Sequence, residues 1–214
     1  MKSNNRSLVV CGTDTDVGKT IISSLLVQGL NARYWKPIQS GLDEGSDTKR
    51  ISTLLNLSSD RLIPEIYKFK APVSPHWAAE KEQTSIDPSQ LKIPSTKGAL
   101  IIETAGGLMV PLNRKLLQID LLKIWSLPIV LVARSGLGTL NHTLLSIEAL
   151  RQRKIPILGI FLNGPFHQDN PRTLEQFSNI PIIANIPIFK TLTAKALEEE
   201  WEKQHLNSTF KAFK

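Results

Sequence analysis

Gly12-Thr13-Asp14-Thr15-Asp16-Val17-Gly18-Lys19-Thr20 is the stretch of sequence that decides the fold of this chain. A short apolar run, Leu8-Val9-Val10-Cys11, precedes it, and the mostly apolar segment 21–26 follows it. This order predicts a strand, a tight loop and a helix, and the Gly-Lys-Thr ending at a helix start is typical of a phosphate-binding loop. The N–H groups at the start of a helix are unpaired and carry partial positive charge, so they suit a triphosphate.

The last three residues of the stretch have the properties that triphosphate binding needs. Gly18 lets the backbone approach closely, Lys19 reaches the β- and γ-phosphates, and the Thr20 hydroxyl holds Mg²⁺. A charge-assisted contact such as that of Lys19 is worth roughly 1.5–3 kcal/mol. The alternative is a glycine-rich turn between strand and helix that binds no ligand.

The loop departs from the standard pattern at its beginning. The pattern has glycine five places before Gly18, where this chain has Thr13. Asp14 and Asp16 add two carboxylates to a loop that is meant for an anion. A magnesium ion, a bound water or a cationic group of the substrate would offset their charge.

Length and composition are those of one globular domain, over residues 1–214, with 41% apolar residues. A single cysteine excludes an internal disulfide and fits a reducing compartment. Residues 1–7 are polar and the apolar run after them is short, so we expect no signal peptide, no membrane span and a cytoplasmic location. The formal net charge of +7 comes from Lys and Arg spread along the chain, which suits anionic nucleotides, and no motif indicates a nucleic-acid partner.

Apolar runs alternate with helical patterns along the chain. The predicted strands are 8–11, 34–35, 99–103, 128–133, 157–162 and 182–184. The predicted helices are 19–30, 47–55, 139–151, 171–177 and 193–206, with short helices near 75–82 and 87–92 inside an irregular segment, 57–98, and a loosely held tail at 207–214. Near-continuous apolar strands separated by helices predict a P-loop NTPase-like α/β fold, a mainly parallel sheet with helices on both faces.

The helix at 139–151 has its own local predictions. Thr139 or Asn141 is the expected N-cap. The expected apolar face consists of Leu144, Leu145, Ile147 and Leu150.

The strand at 99–103 ends in a carboxylate, Glu103, and is followed by an expected flexible loop at 104–108. An apolar strand that ends in an acid, downstream of a phosphate-binding loop, has the form of a Walker-B element. Ligands of parallel sheets bind beyond the carboxyl ends of the strands. The residues expected at this edge are Gly18, Lys19, Lys36, Glu103, Arg134 and Asn163.

With these elements in place, the chain resembles the dethiobiotin synthetases over about residues 8–190. The matching motifs are residues 12–20, Trp35-Lys36-Pro37-Ile38-Gln39-Ser40-Gly41, Ser46-Asp47, Ser74-Pro75-His76, residues 103–112 (Glu-Thr-Ala-Gly-Gly-Leu-Met-Val-Pro-Leu) and Gly136-Leu137-Gly138-Thr139-Leu140-Asn141-His142. The combination of this loop variant with Lys-Pro…Ser-Gly and Glu-x-Ala-Gly-Gly is specific to that family.

The resemblance implies a reaction of biotin synthesis, the closure of the ureido ring of dethiobiotin. The substrates are 7,8-diaminononanoate, CO₂ and ATP, with Mg²⁺. The diamine forms a carbamate, the carbamate oxygen takes the γ-phosphoryl group of ATP, and the second amine attacks this anhydride and expels phosphate. The enzyme is thus a cyclo-ligase, and the resemblance further implies a homodimer with sites at the subunit interface.

The residues suit phosphoryl transfer, which needs positive charge around the γ-phosphate more than a covalent catalyst. Lys19 and Lys36 are expected to flank the carbamate oxygen and the γ-phosphate, and with Thr15, which the resemblance adds, they form the expected catalytic set. Thr20, Asp47 and Glu103 offer the hard oxygen ligands that Mg²⁺ takes, and the resemblance implies that they are the metal ligands. The nucleotide-binding set that the resemblance implies is Asp14, Thr15, Asp16, Val17, Gly18, Lys19, Thr20, Glu103, Asn163 and Pro187. The implied substrate-binding set is Ser40, Lys36, Gly106 and Gly107, with Gly138 and Asn141 expected to bind the substrate carboxylate from the partner subunit.

Several of these residues also have a purely structural interpretation. Lys36 is an ordinary loop lysine in that interpretation, Asp47 and Asn141 are helix caps, and Asn163-Gly164 is a turn. The chain also departs from the family pattern at Asp16, where Glu is common, at Thr104, where Gly is common, and at Gly164, where an acid is common.

Two other functions share this fold. A partition or division-site ATPase has a second lysine early in its loop, where this chain has Asp14, and it hydrolyses ATP slowly in response to a protein or surface partner. A cobyric-acid-type synthetase needs a glutaminase domain with a nucleophilic cysteine, whereas Cys11 lies inside a predicted strand. A dethiobiotin synthetase turns over only with its small-molecule substrate.

Overall fold

The computed structural model describes residues 6–213. The strands are β1 (Ser7–Gly12), β2 (Arg33–Trp35), β3 (Ile38–Ser40), β4 (Leu62–Ile63), β5 (Tyr67–Phe69), β6 (Leu100–Gly107), β7 (Ile129–Arg134), β8 (Ile157–Asn163) and β9 (Ile182–Ile186). The helices are α1 (Lys19–Gly29), α2 (Asp47–Leu55), α3 (Pro75–Lys81), α4 (Gln118–Trp125), α5 (Thr139–Gln152), α6 (Asn170–Ser178), α7 (Ala194–Lys203) and α8 (Leu206–Thr209). Short 3₁₀ turns occupy 42–44, 59–61, 88–90 and 211–213.

Seven strands form one parallel sheet in the order β4-β2-β6-β1-β7-β8-β9. The strands β3 and β5 pair with each other in a separate two-stranded parallel sheet. Because β1 lies between β6 and β7, the phosphate-binding loop that follows it lies near the middle of the carboxyl edge. The predicted mainly parallel sheet is confirmed.

Helices cover both faces of the sheet, as the continuous apolar strands predicted. Alternate residues of β1 belong to two separate cores, with Val9 and Cys11 in one and Leu8 and Val10 in the other. The first core includes apolar side chains of α3, α4, α5 and α6, and the second includes those of α1, α2, α7 and α8. The molecule therefore has three layers, with the sheet in the middle. Within residues 6–213, no helix has both the length and the apolar character needed to cross a bilayer.

Strand β6 is longer than predicted. It continues through Gly107, where a flexible loop was expected at 104–108. A register shift in the β1–β6 pairing lets Gly12 pair with Gly107. A Cβ at Gly107 would come within 3.2 Å of the Thr13 carbonyl oxygen, a tighter contact than usual, so glycine suits the close approach of β6 to the loop.

Helix α4 was not predicted from the sequence. Its N-cap is Leu117, and no side-chain hydroxyl or carboxylate caps the first turn from that position. Instead, the carboxylate of Asp120 accepts a hydrogen bond from the Leu117 N–H at 3.1 Å. The helix is held by burial of Ile119, Leu122 and Trp125 against the sheet, and such packing leaves no local signal at a helix start.

Two predictions about helix α5 are wrong, one fully and one in part. Its N-cap is Gly138, with φ +89°, so neither Thr139 nor Asn141 caps the helix. A glycine reaches this conformation without the cost that a side chain would add. The predicted apolar face is also partly wrong, because Leu145 is 63% exposed while Ile147 and Leu150 are buried.

The end of the chain is packed on the domain, in contrast to the expected loose tail at 207–214. Phe210 is fully buried. Its ring stacks on Phe161 of β8 at 6.2 Å between centroids and on Trp201 of α7 at 5.9 Å. Phe210 is therefore part of the core, and Phe213 packs partly against it. Lys214 lies outside the described residues.

Candidate active site

The phosphate-binding loop runs from the end of β1 to the start of α1, with Gly18 as the N-cap at φ +99°. No side chain among residues 6–213 caps this helix start, so its N–H groups face the loop. The Lys19 ammonium, almost fully buried, donates to the backbone oxygen of Asp14 at 2.7 Å. The loop is therefore closed around the position where a phosphate would bind.

The first acidic residue of the loop has a cation of its own. Arg134, at the end of β7, donates to Oδ2 of Asp14 at 3.1 Å. Oδ1 of the same carboxylate accepts from the N–H of Thr15 at 2.7 Å. Arg134 thus offsets part of the negative charge of Asp14, and both side chains are about half exposed.

Behind the loop, Lys36 and two carboxylates form a buried charge cluster. Lys36 follows β2 and its ammonium pairs with Oδ2 of Asp47 and with Oε1 of Glu103, the latter at 3.3 Å. The same Oε1 accepts from the Thr20 hydroxyl at 2.9 Å. Lys36, Asp47 and Glu103 are each less than one tenth exposed. The interpretation of Lys36 as an ordinary solvated lysine is therefore wrong.

The N-terminus of α2 delivers Asp47 to this cluster. Ser46 is the N-cap, and its hydroxyl accepts from the N–H of Lys49 at 3.2 Å. Asp47 is the first helical residue, so its carboxylate is free to reach Lys36, and the interpretation of Asp47 as a cap is wrong. Gln39 of β3 fixes its backbone, because Oε1 of Gln39 accepts from the Asp47 N–H at 3.1 Å.

The electrostatics of the cluster favour its charged forms at Lys36 and Asp47. Burial alone would lower the pKa of Lys36, but Glu103 and Asp47 together outweigh it and raise that pKa. Burial would raise the pKa of Asp47, but Lys36, with help from Arg50, holds it below the ordinary value. Lys19 differs, because burial and the nearby Lys36 lower its pKa although Glu103 opposes them. The two lysines are thus close enough to interact electrically.

The oxygen atoms of this cluster fit a magnesium ion. Thr20, Asp47 and Glu103 supply one hydroxyl and two carboxylates, and Thr20 hydrogen-bonds to Glu103 and also stabilises the charged Asp47. Mg²⁺ is usually bound through one or two carboxylates together with substrate phosphates and waters. Within residues 6–213, no group of three or more His, Cys, Asp and Glu residues converges.

A cavity of about 710 Å³ joins the loop to the charge cluster. The predicted site residues that line it are Thr15, Asp16, Gly18, Lys19, Thr20, Lys36, Ser40, Asp47, Glu103, Gly106 and Asn163. Asp14, Val17 and Gly107 belong to its surrounding structure without lining it. Gly138, Asn141 and Pro187 lie outside its walls, the first two at the start of α5 and the third after β9.

Two polar atoms at the cavity have no hydrogen-bond partner within the described part of the chain. They are Oγ of Ser40 and Oδ1 of Asn163, and both are buried. Asn163 ends β8 and lies directly against the loop, since a Cβ built on Gly18 would come within 2.3 Å of its Nδ2. Buried polar atoms are normally satisfied, so these two are available to a ligand.

Sequence reasoning missed part of the cavity wall and two buried polar neighbours. Pro72, Val73 and Ser74, from the irregular segment 57–98, line the cavity, and the Ser74-Pro75-His76 motif was the one signal for them. Gln39 contacts the backbone of Asp47, and it lies inside the matching motif at 35–41, although no role was assigned to it. Tyr34 contacts Glu103, and no pattern in the sequence marks it because the contact depends on the pairing of β2 with β6.

Comparison with known proteins shows which proteins this chain is similar to. A family model described as an AAA domain matches residues 6–196. The chain is 43% identical over 199 residues to a protein named ATP-dependent dethiobiotin synthetase BioD from Agrobacterium fabrum, with 93% of each chain covered. It is 42% identical to a protein of the same name from Brucella ovis, which it covers to 94%.

A third relative is longer than this chain. The chain is 48% identical over 200 residues to the biotin biosynthesis bifunctional protein BioCD of Bordetella avium, and it spans 43% of that protein. The similarity covers 93% of this chain, so nearly all of the chain corresponds to one part of the bifunctional relative.

Solved structures resemble the fold at much lower identity. A ParA family ATPase from Chlorobium tepidum TLS has a TM-score of 0.59 at 16% identity, with 97% of both chains covered. A putative plasmid partition protein from Borrelia burgdorferi B31, bound to AMPPNP, has a TM-score of 0.52 at 12% identity. At such identities the likeness shows the P-loop fold alone.

The relatives found by sequence show the family of this chain as well as its fold. Two of them share more than 40% of their residues with this chain along nearly the full length of both partners. The motifs that carried the resemblance, the loop variant, Lys36-Pro37 and Glu103, meet at one cavity. This chain belongs to the ATP-dependent dethiobiotin synthetase family.

Proposed function

We propose that this protein is an ATP-dependent dethiobiotin synthetase. It carboxylates 7,8-diaminononanoate with CO₂, transfers the γ-phosphoryl group of ATP to the carbamate oxygen, and closes the ureido ring as the second amine displaces phosphate. The products are dethiobiotin, ADP and phosphate. The observation that carries this proposal is the buried Lys36 ammonium, which shares one cavity with Lys19 of the phosphate-binding loop.

Two lysines in one enclosed site suit a phosphoryl transfer between two anions. Lys19 neutralises the charge that gathers on the γ-phosphate, and Lys36 holds the carbamate oxygen that attacks it. Thr15 lies on the same wall as Lys19, and the unpaired hydroxyl of Ser40 offers a hydrogen bond to the carbamate or an amine. Gly106 lines the cavity beside them, where the substrate chain passes close to the backbone.

The nucleotide extends from the loop towards the ends of β8 and β9. The unpaired Oδ1 of Asn163 supports a role in reading the exocyclic amine of adenine, and Pro187, after β9, would flank the base. Thr20, Asp47 and Glu103 would hold Mg²⁺, which when bound neutralises charge on the phosphates. These three residues orient one another through the Thr20–Glu103 hydrogen bond and the shared contact with Lys36.

A homodimer would complete the site. Gly138 and Asn141 stand at the N-terminus of α5, outside this protomer's cavity, which suits a substrate carboxylate held from a partner subunit. Leu137 and Leu145 on the same segment are exposed apolar side chains that such an interface would cover. The single cysteine suits the reducing cytoplasm in which we propose that the enzyme acts.

The test is phosphate release from ATP and Mg²⁺, measured with and without 7,8-diaminononanoate and bicarbonate. We expect release to depend on the diamine and dethiobiotin to form in step with ADP. A protein that hydrolyses ATP slowly at the same rate with and without the diamine would contradict the synthetase and favour a nucleotide switch. Size-exclusion chromatography with light scattering tests the dimer independently.

A further inference from the structure

The two oxygens of the Glu103 carboxylate have different surroundings. Oε1 faces the cavity, where it accepts from Thr20 at 2.9 Å and from Lys36 at 3.3 Å. Oε2 accepts from the hydroxyl of Tyr34 at 3.0 Å. Glu103 is only 1% exposed, so its orientation is decided by these three donors and not by water.

The pairing of β2 with β6 brings Tyr34 to this position. Tyr34 is opposite Ile101 in the parallel register, and Glu103 lies two residues further along β6. Side chains two residues apart in a strand share one face of the sheet, so Tyr34 and Glu103 meet diagonally on the face covered by α1. Neither the Tyr34 ring nor its hydroxyl contacts solvent.

The Tyr34 hydroxyl is fully buried, and its hydrogen bond to Oε2 is the contact that a buried donor needs. A donor fixed on Oε2 holds the plane of the carboxylate, because turning that plane away would leave a buried hydroxyl unpaired. Residues that orient a metal ligand in this way commonly change metal affinity when they are replaced.

We propose that Tyr34 is a positioning residue, which holds the Glu103 carboxylate so that Oε1 faces the bound magnesium–nucleotide complex. The inference rests on the magnesium site of the proposed function, but not on the diamine or on ring closure. This positioning role is separate from a general role in packing. The ring of Tyr34 packs in the core, whereas its hydroxyl would position Glu103.

Tyr34→Phe tests the hydroxyl alone, because the ring stays in the core. Calorimetric titration of the full chain with ADP, with and without Mg²⁺, measures how much the metal strengthens nucleotide binding. We expect the affinity for metal-free ADP to stay within about twofold of the original, and the gain from Mg²⁺ to fall roughly 10-fold or more.

The matched control is Tyr67→Phe, at the only other tyrosine of the chain. The Tyr67 hydroxyl bonds to the backbone of Asp87 and lies away from Glu103, so its removal should leave both ADP titrations unchanged. A double variant, Tyr34→Phe with Glu103→Gln, adds a second readout. If Tyr34 acts through Glu103, removing its hydroxyl should have no further effect on the metal gain once the carboxylate is gone.

An unchanged metal gain in Tyr34→Phe would overturn the proposal. So would an equal loss of affinity for ADP with and without Mg²⁺, because this would indicate a general defect of the nucleotide site. The titrations contain no diamine, so they can support positioning by Tyr34 even if the diamine-dependent reaction is absent. Equally, the diamine-dependent reaction can be present even if the titrations show no positioning by Tyr34.

Discussion

Nζ of Lys36 lies 3.3 Å from Oε1 of Glu103, although the two residues are 67 positions apart in the chain. The same ammonium pairs with Asp47, so one buried cation is shared by two buried carboxylates. Magnesium would contact the same two carboxylates. Lys36 is therefore part of the folded core as well as of the proposed chemistry, and its removal should affect both.

Lys36→Met should lower the free energy of unfolding in the absence of metal by about 3–5 kcal/mol, because it removes the buried cation that pairs with both carboxylates. Mg²⁺ should restore more stability to the variant than to the original protein. ATP binding should persist while the diamine-dependent reaction is depressed. Urea denaturation with and without Mg²⁺ measures the first effects, and nucleotide titration with a turnover assay measures the others.

Lys195→Met is the control for that variant. Its side chain is 83% exposed and its pairing with Glu199 spans 3.8 Å, so the change in stability should stay within about 0.5 kcal/mol. If ATP affinity collapses in Lys36→Met, the role assigned to Lys36 is wrong.

Lys19→Ala should reduce turnover by roughly 10²-fold or more, because the ammonium stabilises charge that develops in the transition state. Steady-state release of phosphate measures the loss. Lys123→Ala, at an exposed lysine of α4, should behave as the original protein does. Normal turnover in Lys19→Ala would exclude the proposed contact with phosphate.

Gly18→Ala should abolish nucleotide binding and destabilise the fold. Gly18 has φ +99°, and its Cβ would come within 2.3 Å of Asn163, so the variant combines backbone strain with a clash. Gly98→Ala separates the two effects, because Gly98 has φ +82° with open space around it and should show only the strain, about 1–2 kcal/mol. Equal losses of unfolding free energy in the two variants would argue against the close contact with Asn163.

The contribution of Asp47 to the free energy of unfolding should depend on pH. Its pKa is held below the ordinary value of 3.8, so the stabilisation is complete above that value and is lost as the pH falls through the lower pKa of the folded state. The difference in unfolding free energy between the original protein and Asp47→Asn should therefore be constant near neutral pH and shrink below about pH 4. Denaturant titrations from pH 7 to pH 3 measure it, and a difference that grows in acid would refute the pairing.

Phe210→Ala should cost about 3–5 kcal/mol of unfolding free energy, as expected for a buried aromatic ring that stacks on two others. Phe177→Ala, at a ring that is 76% exposed, should be nearly neutral. Thermal and urea denaturation compare the two. A small effect at Phe210 would mean that residues 206–213 are held more loosely than their burial indicates.

Much of this architecture could be predicted because the buried strands are continuous apolar runs and polar residues follow them directly. Such patterns located the phosphate-binding loop, Glu103 and Asn163 at one edge of the sheet. Contacts that depend on strand register could not be predicted, and Tyr34 with Glu103 is the main example. Local backbone angles could not be predicted either, so the sequence did not identify Gly138 as the N-cap of α5. Helix α4 was missed because burial of its apolar side chains stabilises it, and no side chain at its N-cap position marks its start.

The order of the strands also has a consequence for biosynthesis. Strand β1 leaves the ribosome first, but its two neighbours are β6 and β7, so it stays without a complete pair until Arg134 has been made. Roughly 120 residues separate the two points, or about 6–24 s at roughly 5–20 residues per second. Throughout this interval the apolar residues Leu8, Val9 and Val10 lack at least one of the two strands that pair with them in the folded protein. The segment that gives the enzyme its phosphate-binding loop is thus the one that a nascent chain must protect longest from aggregation.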